Sequence, residues 1–164
     1  IRGRITDGVR AEGWGVYLEE SMMLAGVLGD RPRVDELIYL FGIFRAARVP
    51  ADVGMQRNEM TVADAVKYMM DKTPWLDENV ARVDAEIYLR RPPGYGVGYT
   101  IGALQMRGLL ADARIQQGTA FKLKDFHDDF MARGRLPISL LRWEMTGLEN
   151  EINAFWEREP IPKN

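Results

Sequence analysis

In the segment Glu12-Gly13-Trp14-Gly15-Val16-Tyr17-Leu18-Glu19-Glu20, two glutamates, Glu12 and Glu19, stand seven residues apart. Seven helical residues turn through nearly two revolutions, so both carboxylates share one face of a helix. Trp14, Val16, Tyr17, Leu18, Met22, Met23, Leu24 and Val27 leave little of that helix polar, and a helix that is apolar nearly all round is usually buried. A carboxylate inside it must be protonated, paired with a cation or bound to a metal. Two readings stand at this point: structural carboxylates that are arginine-paired or solvated, and a metal-ligating face. Arg45 and Arg48 lie one helical turn apart beside an apolar face, and Arg107 follows Leu104 and Met106. Each is a cation able to neutralise a buried glutamate or hold a substrate carboxylate.

Other residues offer less. Gly94, Gly96, Gly98 and Gly102 have the look of a phosphate cradle, but no strand precedes them and no Gly-Lys-Ser/Thr follows. They are better read as places where the backbone meets a neighbour or a ligand closely. Tyr99, at the mouth of this loop, could present its phenol to a developing oxyanion or simply anchor the loop. His127 is the only histidine and cysteine is absent, so thiolate zinc sites, disulfides and paired-histidine motifs within the chain are excluded. Phe126 and Phe130 share a helical face, which puts His127 at its edge.

The elements that must position these groups are helices. The punctuation predicts about seven: Thr6 to Leu28; a second opened by Pro32, with Leu37, Leu40, Phe41 and Phe44 in helical period, kinked or broken near Val49 by Pro50 and resuming to Gln56; Val62 to Asp71, with an N-cap arrangement at Thr61 and Asp64; Leu76 to Arg90; Tyr99 to Gln117, stopping at Gly118; Leu123 to Arg133, capped by Gly134; and Pro137 to Glu157. The stretch Pro92 to Gly98 reads as the least helical. No segment sustains a period of two, so the class is all-α.

The 164 residues suit a single helical domain or a fragment of one. A net charge of -2 carries no footprint for nucleic acid and no polybasic membrane patch, and no run approaches the roughly 18 apolar residues of a membrane span. The chain begins at Ile1 rather than methionine, which points to a missing N-terminal part.

Taken together, the segments resemble the bacterial family catalogued as domain of unknown function 885. The resemblance runs through Glu12-Gly13-Trp14 with Tyr17 and Glu19; Arg45-Ala46-Ala47-Arg48 and Asp52-Val53-Gly54-Met55; Thr61 to Met69; Pro93-Gly94 with Tyr99 and Gly102; Arg107; and Phe126-His127-Asp128 leading to Gly134 and Leu136-Pro137. It covers nearly the whole chain. It implies a relative of the gluzincin zinc peptidases, with this chain as the C-terminal portion of a larger helical metallopeptidase-like fold. In such a fold an upstream HExxH helix, on the same or a separate chain, provides two histidine ligands and the general base. Glu12 would then be the third zinc ligand, Glu19 a supporting carboxylate, Tyr99 an oxyanion-stabilising catalytic residue, and His127 and Arg107 contacts to the peptide substrate. No HExxH occurs in this sequence, and Gln56 stands where the family pattern leads one to expect a histidine. The expectation is therefore a zinc-dependent parent protein, and an isolated chain that neither binds zinc tightly nor cuts peptides. The competing expectation is a non-catalytic helical module for binding or assembly. Members of the family are often exported; nothing in these residues shows export.

Overall fold

The computed structural model describes residues 4–29 and 31–159. Among them are eight α-helices and no strand: α1 (Gly8–Leu24), α2 (Val34–Gln56), α3 (Val62–Lys72), α4 (Glu78–Arg90), α5 (Tyr95–Gln117), α6 (Leu123–Ala132), α7 (Ile138–Thr146) and α8 (Asn150–Trp156). The all-α class read from the sequence is the observed one. The chain divides into two compact units, Gly8–Leu104 and a second made of Gln105–Asn164 with Ile1–Asp7.

In the first unit, Phe44, Ala47, Ala51 and Met55 of α2 pack with Ala65, Val66 and Met69 of α3 and Ala81, Ala85 and Tyr88 of α4. Five alanines let these helices approach closely, while Phe44, Met55, Met69 and Tyr88 fill the remaining space. α3 begins with the expected cap: Thr61 Oγ1 accepts from Asp64 N at 3.2 Å, and Thr61 N donates back to Asp64 Oδ2 at 2.9 Å. Asp77 caps α4 by accepting from Asn79 N, two residues later than the Leu76 start that was expected.

Other expectations need correction. α1 ends at Leu24, not Leu28, because Gly26 turns left-handed (φ 73°). Of the kink or break expected near Val49, the break does not occur: α2 continues as helix through Pro50. A proline removes one hydrogen bond and crowds the carbonyl four residues back; here that carbonyl belongs to Ala46, which is exposed, while Ala51 and Asp52 beyond are fully buried and hold the helix in place. α5 starts at Tyr95 rather than Tyr99, so half of the stretch read as least helical is helix. The cause is a buried carboxylate described below.

The second unit has its own buried apolar set, including Met106, Leu109 and Ala113 of α5, Phe126 and Phe130 of α6, and Ile138 and Leu141 of α7. Phe126 and Phe130 stack, with centroids 6.5 Å apart. Arg142 on α7 reaches Asp112 on α5 at 2.7 Å, and Gln116 donates to the Thr146 carbonyl. The helix expected from Pro137 to Glu157 is two, α7 and α8. Gly147 at φ 72° ends α7 in a left-handed cap, the conformation that glycine adopts at least cost.

Candidate functional site

Glycines decide how closely α1, which carries Glu12, crosses α5, which carries Tyr99. On α5, Gly98 and Gly102 are one turn apart; on α1, so are Val9 and Gly13. A Cβ on Gly98 would lie 3.3 Å from Val9 Cα, and one on Gly102 would lie 2.7 Å from Gly13 Cα. The two backbones cross in contact here, which only residues without a side chain allow. This corrects any phosphate-cradle use of Gly98 and Gly102 and fits the close-approach reading. Glu12 precedes Gly13 and Tyr99 follows Gly98, so both candidates stand beside the crossing, near enough for the Glu12 charge to act on Tyr99.

Tyr99 is half-buried, and its hydroxyl lies 2.7 Å from that of Tyr95. Burial pushes its phenol well above the ordinary range; the hydrogen bond with Tyr95 and the nearby charge of Glu12 push the same way, against Arg48. The phenol therefore stays neutral at any physiological pH. A neutral phenol beside a carboxylate is a hydrogen-bond donor and cannot serve as a base.

Beneath Tyr99 lies a buried polar cluster. The Arg48 guanidinium is sandwiched between the rings of Phe44 (4.5 Å) and Tyr99 (4.7 Å). Its Nε stands 2.6 Å from Asp84 Oδ2 in a close ion pair that is off line for a hydrogen bond. The same carboxylate oxygen accepts from the Tyr88 hydroxyl at 2.8 Å. Burial raises the Asp84 carboxyl above its usual range, opposed by Arg48 and Tyr88, and burial with the Asp84 charge holds the Tyr88 phenol neutral. Asp52, with no exposed surface, accepts from Gly96 N at 2.8 Å and Val97 N at 3.4 Å. These are orphan donors of the first turn of α5, and a carboxylate there complements the helix dipole. Gly94 at φ 90° makes the entry turn. Asp52 thus starts the helix four residues ahead of Tyr99. Gln56, at the position where a histidine was expected, donates to the Tyr88 carbonyl at 3.0 Å and lies 3.5 Å from Asp52 Oδ1.

Glu19 is held differently. Arg45 forks it, Nη1 to Oε2 at 2.5 Å and Nη2 to Oε1 at 2.9 Å, the planar two-point pairing that guanidinium geometry favours. Of the two arginines of α2 singled out in the sequence, Arg45 pairs with Glu19 and Arg48 with Asp84, and neither with Glu12. Arg107 and His127 belong to the second unit. Arg107 is exposed; His127 is half-buried, its ring 5.7 Å from Phe126, and burial lowers its pKa against the pull of Asp128. The structure thus pairs Glu19 with Arg45 and brings the charge of Glu12 within reach of Tyr99. Sequence reasoning missed the roles of Asp52, Asp84 and Tyr88. The Asp84–Tyr88 spacing of four within an apolar helix was the signal available for two of them.

Among the described residues no three histidine, cysteine, aspartate or glutamate side chains converge as metal ligands. No helix among them is long and apolar enough to cross a membrane.

An all-helical fold with a carboxylate and a neutral phenol at a glycine crossing is what the chain presents. Residues 4–145 match the model of the family described as bacterial protein of unknown function (DUF885), and the chain belongs to that family. It is similar to a crystal structure described as "the putative lipoprotein from Colwellia psychrerythraea", with 26% identity and a TM-score of 0.75 over 93% of this chain. The match takes in 24% of that longer protein, so the chain spans about a quarter of its length. No curated protein matches the sequence.

Proposed function

We propose that this chain is the C-terminal helical part of a zinc-dependent peptidase, in which Glu12 contributes one metal ligand and Tyr99 a hydrogen bond to the substrate oxyanion. The observation that carries the reading is that Glu12 and Tyr99 sit on two helices whose backbones cross in contact at Gly13 and Gly102, near enough for the Glu12 charge to act on a phenol that burial keeps neutral. Zinc in the complete protein would polarise the scissile carbonyl and activate water. The remaining ligands come from outside this chain. What these residues supply is a carboxylate, a fixed phenol donor, and the Arg48–Asp84–Tyr88 cluster that keeps the ring of Tyr99 in position. Arg107 and His127 are proposed as contacts to the peptide. The similarity to one solved bacterial protein about four times as long supports taking this chain as part of a larger protein.

The test is zinc content and peptide hydrolysis in the complete open reading frame. Glu12→Ala should lose stoichiometric zinc, and Tyr99→Phe should keep zinc while kcat falls by about 10²–10³-fold, the usual effect of removing one oxyanion donor. Undiminished zinc in Glu12→Ala sinks the ligand assignment. The isolated 164 residues should show neither tight zinc binding by calorimetry nor hydrolysis.

One observation favours a second reading, a non-catalytic binding or assembly module. The other glutamate of the same face, Glu19, is already occupied by Arg45. A complete reading frame without two upstream histidines would favour that module.

A further inference from the structure

The apolar stripe of α2 changes its surroundings halfway along. Leu37, Leu40, Phe41, Phe44, Ala47, Ala51 and Met55 follow one helical face at steps of three and four. From Phe44 onward the face is core, yet no residue of α2 before Phe44 is buried. Leu37 is 49% and Phe41 47% exposed, and Leu24 at the end of α1 is 75% exposed. Met22 and Val27 are also exposed. So many large apolar side chains over two neighbouring helix ends exceed the scatter normal for a protein surface and mark a contact face.

The periodicity does not change where the cover stops. The buried half of the stripe is covered by helices α3 and α4, so the bare half has the form that a further helix would cover by ridge-into-groove packing. The solved relative holds the counterpart of this chain inside a chain of which it makes up only 24%. We propose that the bare half of this stripe, with the end of α1, is a docking face for an amphipathic helix from the part of the protein outside these 164 residues. This rests on the preceding reading only in taking the chain as part of a larger helical protein; it does not require zinc.

The chain has no cysteine, so single substitutions report cleanly. Leu24→Cys, Leu37→Cys and Phe41→Cys would be labelled with a maleimide in the isolated chain and in the complete reading frame. Rates are read by peptide mass spectrometry and normalised to the same protein unfolded in urea. The expected result is rapid labelling in the isolated chain and protection of about tenfold or more in the complete protein. Equal labelling in both overturns the proposal. Protection that appears in the isolated chain and rises with its concentration also overturns it, because a second copy would then be the occupant. Zinc is measured in the same preparations. Protection without zinc keeps the docking face and sinks the peptidase reading, whereas zinc without protection does the reverse.

Discussion

Arg48 is the residue on which the polar interior of the first unit depends. It places a cation against Asp84 and between two aromatic faces, with only 6% of the Asp84 side chain exposed. Removing the cation leaves a buried carboxylate without its countercharge, a loss that typically costs about 3–5 kcal/mol. Arg48→Met keeps much of the side-chain volume, so urea denaturation at pH 7 should show destabilisation of that order. The effect should depend on pH in a defined direction. Folding raises the Asp84 pKa above 3.8, so this group favours the folded state fully below that value and loses the contribution as pH rises through its folded pKa. Without Arg48 the folded pKa rises further, and the deficit of the variant should narrow as pH is lowered from 7 to 5. A deficit constant across that range would show that Asp84 is not the group left stranded.

At the scale of the helix, two devices place Tyr99. The first is the Asp52 carboxylate at the start of α5. Asp52→Ala leaves the Gly96 N–H without that acceptor and should cost about 1–3 kcal/mol. Hydrogen exchange should report it as lost protection in the first turn of α5, with α3 unaffected. The second is the α1–α5 crossing. Gly13→Ala would drive a Cβ into the α5 backbone at Gly102 and Ala103, and overpacking of this kind costs about 1–3 kcal/mol. Gly108, also within α5, has nothing within 4 Å of a Cβ; Gly108→Ala should stabilise by about 0.5–1 kcal/mol through helix propensity. Thermal melts of the two variants should move in opposite directions.

For the molecule as a whole, one side chain dominates the pH response near neutrality, because His127 is the sole histidine. Burial lowers its pKa below 6.5 in the folded state, so the unfolded chain binds the extra proton first. The contribution of His127 to stability is complete above about pH 6.5 and is lost as pH falls through the lower folded value. The melting temperature of the wild type should therefore fall more between pH 7.5 and 5.5 than that of His127→Gln. The single imidazole resonance should titrate with a midpoint below 6.5. A midpoint above it would mean that the charge of Asp128 outweighs burial.

Local signals were enough for the all-α class, the approximate helix order and several caps, because these depend on neighbours in the chain. The Thr61–Asp64 box, the stop at Gly118 and the Gly134 cap follow from backbone donors and glycine geometry within a few residues. The candidates Glu12 and Tyr99 were legible as residue types, and so were Arg45 and Arg48 as cations. Which arginine meets which carboxylate was not. That Arg45 takes Glu19 while Arg48 takes Asp84 depends on how α1, α2 and α4 pack, and no spacing along one helix encodes it. The continuity of α2 through Pro50 and the early start of α5 at Tyr95 were tertiary decisions too. Buried neighbours hold the first, and a carboxylate 44 residues away caps the second. The chain by itself determined the all-α class and which side chains can carry charge. Only the packed structure decided that Gly13 meets Gly102, because removing two side chains permits a close crossing and the partner helix has to be there to use it.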